Sequence, residues 1–461
     1  MNTRRPINAL RRALACAVAM CWMMASPPAA AEPGAPQASQ SAASSGGIVR
    51  ASGRMLNELM QRDVQRAEPV SENILGVTTQ GTADTDCHIG LQLIPNISRG
   101  HLRLTMTGRA TINEGVGSIR KVRVYTSSQT WITAQKNLGL AAEGIGIAPT
   151  IADCQTSIYT KDISAPLRFI ENIAWKKANR MRPQAEQIAA ERAGRRAAEQ
   201  LDAEADEPLR KLHQHYLEGV YFPLQQKDAF PIVRVQSTGE HLFINTARAE
   251  APAGPPPPLD GRHDLVVGFH QQFVAAMADR MLGGTTQTDK HLLDMMHALT
   301  GQMPRALWVH DRTPRWKVRL AERRPIEMTI AEDKIDITVR LQHTGRAEEQ
   351  LDRPVDITAR LVLTATPDGP KLSRSTPVGA KIMDGKAVNA AEDRLLDFLR
   401  RKFSGVFPEE MYFDGLVPPA GGTWAKLRRL QLAEFTAREG WLVIGYRWQA
   451  TPGNSLAVVN P

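Results

Sequence analysis

From Lys334 to His343 the chain reads KIDITVRLQH, in which Ile335, Ile337, Val339 and Leu341 alternate with Lys334, Asp336, Thr338 and Arg340. A period of two is the side-chain period of a β-strand, so the apolar four share one face and the polar four the other. The same alternation runs through VDITARLVLTA (Val355, Ile357, Ala359, Leu361, Leu363) and KVRVYTS (Val122, Val124). It recurs in HLRLTMTG, with Leu102, Leu104 and Met106 opposite Arg103, Thr105 and Thr107. Parallel sheets are covered on both faces and read as unbroken apolar runs, so alternation of this kind indicates antiparallel sheets with one wet face. The expected fold class is α+β: two modules of antiparallel, one-face-wet sheet packed on long helices.

The helices are found by their own period. Residues 164–221 read as one long kinked helix, with Ile170, Ile173, Ala174, Ala178 and Met181 on a narrow apolar stripe that Leu209, Leu212, Tyr216 and Val220 resume. Pro183 and Pro208 are expected to kink or divide it. Its charges are segregated: residues 170–196 hold seven Lys or Arg against three Glu, and residues 197–208 hold five acids and no base. Two readings are open, a basic face for anionic lipid and a solvated surface helix. A shorter helix is expected in RMLNELMQRDVQ. Another begins near His270, with Phe269, Phe273, Val274, Met277 and Met281 at helical spacing, and ends at Gly283-Gly284. DKHLLDMMHALTG and AEDRLLDFLRRKF add two more, and the chain closes on a hairpin turning at Arg438-Glu439-Gly440.

Punctuation divides the chain. Residues 1–31 read as a signal peptide: Arg4, Arg5, Arg11 and Arg12, then the apolar ALACAVAMCWMMA, then Ala29-Ala30-Ala31. That apolar core is too short to span a bilayer, which takes roughly 20 residues. Residues 32–48, rich in Pro, Ala, Ser and Gly, read as a flexible linker. A strand-rich module follows over 49–163, then the long helix, then strands over 222–250. The Pro-rich linker 251–261, APAGPPPPLDG, is the expected domain break before a helix-then-sheet module, 262–461. No segment after the signal is apolar enough to be a transmembrane span. The protein is therefore expected outside the cytoplasm, in the periplasm or the extracellular space. The formal net charge of +9 falls to about +5 once the four signal arginines leave. Export removes nucleic acid as an ordinary partner and leaves an anionic envelope surface.

Four cysteines are present, and Cys16 and Cys21 leave with the signal, so the mature chain keeps Cys87 and Cys154. In an exported chain these two are expected to form a disulfide. The alternative is two buried thiols. The chain-entropy model gives such a bridge roughly 4 kcal/mol.

Catalytic signatures are missing. The sequence has no Gly-x-Ser-x-Gly elbow, His-Glu-x-x-His helix or phosphate loop. For a hydrolase with a dispersed site, the candidates are His263, Asp264, His270 and Glu240-His241. Asp264 and His270 are too far apart to meet on a strand and lie on different sides of a helix, so no local dyad forms. Asp84, Asp86, His88 and Gly90 resemble a calcium loop without its bidentate acid and are read as a turn. His213-x-His215 chelates only from a strand, and its surroundings are helical. No catalytic residue, metal or cofactor is expected.

NILGVTTQGTADTDCHIGLQL running into GRATI, the Ala/Glu/Arg helix, the proline spacer, DLVVGFHQQFVAAMADRMLGG and WKVRLAERRPIEMTIAEDKIDITVRL together resemble a group of exported bacterial proteins of unknown function. That resemblance implies export and a shared architecture and transfers no active site. At fold level, helix, meandering strands and a final LQLAEFTAREGWLVIGY hairpin are similar to tubular lipid-binding proteins of the bactericidal/permeability-increasing type. This second resemblance implies a tube lined by apolar strand faces. Those faces are Ile335, Ile337, Val339, Leu341, Val355, Ile357, Leu361 and Leu363, either lining a slot for an apolar ligand or packing on a helix. The expectation is an exported non-catalytic envelope protein that binds a lipid or other apolar small molecule. A hydrolase with a dispersed site and a purely structural interaction protein are the alternatives.

Overall fold

The computed structural model describes residues 46–248, 254–288, 316–346, 349–366, 369–412 and 430–449. The signal, most of the first linker and DKHLLDMMHALTG lie outside these residues. In chain order the elements are β1 (Gly47–Ser52), α1 (Gly53–Met60), β2 (Arg62–Ile74), β3 (Val77–Ile94), β4 (Gly100–Ile119), β5 (Val122–Ala141), β6 (Gly144–Ile147), β7 (Ile151–Ser164) and α2 (Arg168–Tyr216). After a π-helical turn, Leu217–Tyr221, come α3 (Phe222–Gln226), β8 (Ile232–Ser237), β9 (His241–Ala247), β10 (Leu265–His270), α4 (Gln271–Leu282) and β11 (Thr286–Thr288). The remainder is β12 (Trp316–Leu320), β13 (Ile326–Ala331), β14 (Lys334–Arg346), β15 (Glu349–Leu351), β16 (Val355–Thr366), β17 (Gly369–Arg374), β18 (Gly379–Ile382), α5 (Ala390–Val406), β19 (Glu410–Tyr412), β20 (Leu430–Arg438) and β21 (Trp441–Trp448). The class is α+β, and every strand pair is antiparallel.

The chain forms two compact units, and the break does not fall at the proline spacer. Among the described residues, one unit is Leu56–Gln214 with Gln236–Glu240; the other holds 46–55, His215–Val235 and those from His241 onward. The reason is strand pairing. Gly47 and Ile48, expected in a linker, begin β1, which pairs with β9 on one side and β10 on the other. This central strand ties the start of the chain to its second half.

In the first unit, strands run in the order β2-β3-β4-β5-β6, with β7 also paired to β5. Their inner face meets α2. At one end that face is dry: Val64, Cys87, Ile89, Met106, Ile132 and Ala134 pack on Ala197 and Leu201 of α2. Pro183 and Pro208 neither end nor divide α2, which runs unbroken through both. Both rings are exposed, so the helix loses backbone hydrogen bonds on its wet side while its alanine stripe stays packed. Register shifts interrupt β3 between Gln80 and Asp84, β4 between Ile112 and Gly115, and β5 between Tyr125 and Thr126. Bulges bend a strand and increase its twist. The curl is tight enough that a Cβ on Gly117 would sit 2.8 Å from Val77 Cγ1, closer than side-chain atoms pack.

The other unit has two sheets, β20-β21-β10-β1-β9-β8 and a nine-stranded sheet built on β11-β12-β14-β16-β17-β19. α5 covers the second, with Leu395, Leu396, Phe398, Leu399 and Phe403 against Val339, Leu341, Val355 and Ile357. Its start is fixed by a capping box: Asn389 accepts from the backbone N–H of Ala391 and Glu392, and the Glu392 carboxylate accepts from Asn389 N–H. The closing hairpin turns at Glu439 and Gly440, both at positive φ, the conformation a two-residue hairpin loop requires.

Candidate functional site: an apolar slot between a curled sheet and a long helix

A cavity of about 420 Å³ lies between the inner faces of β2, β3, β4, β5 and β7 and the first half of α2. Small side chains make the space. On the helix the wall is Ala174, Ala178, Ala185, Ala189 and Ala193, with Ile170, Ile173 and Met181 toward one end; on the sheet, Gly81, Ala83, Ala110 and Gly117 face them. Between these, Val70, Ile74, Val77, Ile112, Val122 and Val124 supply the apolar surface.

Register sets the cavity's axis. The hairpin ends Ile74↔Val77 and Ile119↔Val122 mark one end, and the paired rows Ala110↔Thr130 and Thr130↔Thr156 mark the other. In the row Gly108↔Ile132↔Cys154, Ile132 and Cys154 join the packed cluster that closes the floor. Along β5 the lining runs from Val122 to Thr130, about 26 Å at strand rise. Volume over length gives a mean cross-section of about 16 Å². The space is therefore a slot, not a bowl.

The slot is mainly apolar on the helix side, where Lys177, Arg182 and Arg196 also reach it, and hydroxyl-bearing on the β5–β7 side, where Thr126, Ser128, Thr130, Thr156 and Thr160 line it. Thr130 and Thr156 bond each other at 2.9 Å, and Thr126 donates to the carbonyl of Gly115. Glu72 and Arg196 tie its walls together. The Glu72 carboxylate accepts from Arg192 Nη1 at 3.1 Å and from Arg196, joining β2 to α2 at the side of the slot. Below the floor, Lys136 on β5 is buried and holds Asp202 and Asp206 of α2. Burial alone would lower the Lys136 pKa, but its bonds to the two carboxylates outweigh this and raise it. Asp202 is likewise held below the usual carboxylate range: burial opposes this, and the bonds from Lys136 and Thr150 prevail. A long, mainly apolar slot with ion pairs fastening its walls can bind an extended molecule.

The eight strand residues put forward from the sequence do not line this slot. They belong to the other unit, and their face is filled by protein: Val339, Leu341, Val355 and Ile357 pack under α5. Ile335 and Leu361, with Ile337 and Leu363 beside them, pack against Phe435, Ala437 and Leu442. The alternation correctly gave a dry face, but a helix and a hairpin cover it. Cys87 and Cys154 are corrected as well: both are free thiols. The register Cys87↔Gly108↔Ile132↔Cys154 puts two strands between them, whereas a disulfide needs Cα atoms within about 7 Å.

The hydrolase candidates are structural. Asp264 accepts from Ser52 Oγ at 2.8 Å, from Arg54 Nη2 at 2.7 Å and from the backbone N–H of Trp448 at 2.8 Å. Burial would raise its pKa, and these donors hold it below the usual range. His263 is buried with its ring over Gly445, where any Cβ would collide with it, and Glu434 lies 3.2 Å from Nε2. His270 is the N-cap of α4, accepting from Gln272 N–H, and its ring meets Trp441 edge-on at 5.5 Å. Desolvation lowers the pKa of both histidines. Glu240 is exposed in a turn before His241, which opens β9. Asp84, Asp86 and His88 lie within β3, pointing outward, so the expected turn there is a strand. His213 accepts from the Ile145 N–H. Among the described residues no cluster of three or more metal-ligating side chains occurs, and no helix is long and apolar enough to cross a membrane.

The chain matches no family model and no curated protein. Among solved structures it is similar to lipopolysaccharide binding protein, at 12% identity over 88% of this chain and 99% of that one, with a TM-score of 0.26. It is also similar to P47 of Clostridium botulinum E1, at 10% identity over 88% and 100% of the chains with a TM-score of 0.25. P47 from Clostridium botulinum A2 gives 11% identity over 88% and 97%, with a TM-score of 0.23. These scores mark a weak similarity of fold.

Proposed function

We propose that this protein is an exported, non-catalytic binding protein that carries an extended apolar molecule, such as the acyl chain of a lipid, in the slot between its curled sheet and α2. The slot itself supports the reading. Its volume lies within the roughly 300–1,000 Å³ of small-molecule sites. Its length of about 26 Å exceeds the extent of one acyl chain in a leaflet, about half of the ~30 Å hydrocarbon core. A void of this size, were it sealed and empty, would cost on the order of 10 kcal/mol at ~24 cal/mol per Å³. That is as much as the whole stability of many domains. Larger residues at Ala178 or Ala185 would remove the void, yet small ones stand there.

Extraction of the purified mature protein into organic solvent, followed by mass spectrometry, tests this. Stoichiometric recovery of a lipid, displaceable from the protein by a fluorescent fatty acid, is expected. Failure to recover a ligand or bind the probe across several lipid classes overturns it.

A further inference from the structure

The hairpin end of the slot carries two features that ligand binding inside it does not require. Leu167, Phe169 and Ile173 are 54%, 60% and 61% exposed, and Ile119 in the facing β4–β5 turn is 36% exposed. Around them the segments Ile119–Arg123 and Leu167–Arg180 hold Arg120, Lys121, Arg123, Arg168, Lys176, Lys177 and Arg180 against one carboxylate, Glu171, and all seven bases are exposed. The order along α2 is informative. Phe169, Ile173, Lys176 and Arg180 follow one another at i+4, i+3 and i+4, so they form a single stripe, apolar in its first two turns and basic in the next two. Lys176 to Arg180 stand about 5–10 Å along the axis from Ile173, which matches the roughly 5–10 Å to which interfacial apolar groups sink beneath the headgroups.

From this juxtaposition we infer that the slot end of the unit docks on an anionic phospholipid bilayer, with Leu167, Phe169 and Ile119 entering the headgroup boundary and the basic collar meeting the phosphates. The inference rests on the proposed lipid-binding role, because Ile119, Val122, Ile170 and Ile173 also line the slot; docked in this way, the slot opens straight onto the acyl layer. Exposed apolar groups ringed by like charge are otherwise a solubility burden. Complementarity with a negative surface gives both halves of the stripe a use.

Vesicle flotation of the full mature protein tests this, with phosphatidylcholine alone and phosphatidylcholine mixed with phosphatidylglycerol. Binding to the mixed vesicles only, weakened at high ionic strength, is expected. Lys176→Glu with Arg180→Glu is expected to cut partitioning roughly tenfold or more, and Leu167→Ser with Phe169→Ser to cut it by about tenfold; none of these four residues lines the slot. Lipid extracted from both variants should match wild type. Absence of any preference for the anionic vesicles, or flotation of both variants like wild type, overturns the inference. Loss of extractable lipid from the wild type with vesicle binding intact would instead overturn the proposed function alone.

Discussion

Lys136 Nζ lies 2.8 Å from Oδ1 of Asp206 and 2.5 Å from Oδ1 of Asp202, and the lysine side chain is 1% exposed. This contact fastens α2 to β5 just below the slot floor. Because the ammonium is buried and the carboxylates are half-exposed, the two ends respond differently to substitution. Asp202→Asn combined with Asp206→Asn leaves a buried charge without a partner and should cost about 3–5 kcal/mol. Lys136→Met leaves two hydratable carboxylates and keeps the apolar stem, so it should cost less. Urea unfolding of the two variants measures the order.

Acid should act on the protein in two stages. His263 and His270 have folded pKa values below the ordinary 6.5, so the unfolded chain takes up their protons first and their share of stability falls as pH drops below 6.5. Asp202 and Asp264 are depressed below 3.8; their contribution is complete above that value and is lost as pH falls past it. Lys136 is raised above 10.5, so its contribution is complete below 10.5 and lost in stronger alkali. Cys87 and Cys154 are raised above 9.0, so their contribution is lost from there upward, and unfolding midpoints should be highest between 6.5 and 9, with a first decline below 6.5 that His270→Gln reduces.

The free thiols can be titrated. Cys87 is buried, and desolvation, then the nearby Asp86, then Cys154 raise its pKa. Cys154 is raised chiefly by desolvation. Both should react slowly with a disulfide reagent in the native protein and at once in denaturant, since the thiolate is the reacting form. A native protein in which neither thiol titrates without prior reduction would contradict the register.

Ala178 separates the binding reading from the packing reading. Ala178→Phe fills part of the slot, so the ligand-free protein should be as stable as wild type or about 1 kcal/mol more stable, while affinity for a fluorescent fatty acid falls at least tenfold. A core position would give the opposite result, with overpacking costing about 1–3 kcal/mol.

Much of the fold was legible because period two is a property of single strands. Leu102, Leu104 and Met106 are buried as their alternation required, and α4, α5 and the closing hairpin lie where their spacing put them. The stripe Ile170, Ile173, Ala174, Ala178 and Met181 was visible too, and it is one wall of the slot. What faces it was not. Whether an apolar strand face meets a helix of leucines and phenylalanines, as Val355 and Ile357 do under α5, or a helix of alanines, as Val70 and Val77 do, depends on tertiary contacts that no local period records. The abundance of Ala in α2 was the one local hint, because alanine facing glycine cannot fill the space between a sheet and a helix. Strand length misled about Asp84 and Asp86: their alternating acids look like a turn, but β3 runs through them with those side chains in water.

A lipid held in the slot adds its mass to that of the polypeptide. Native mass spectrometry of the protein purified from cells that make it, beside an Ala178→Phe, Ala185→Phe double variant, reads that added mass. A wild-type mass raised by one discrete lipid, with the variant at its bare polypeptide mass, is the predicted result. Bare mass in both, or the same adduct in both, would contradict it.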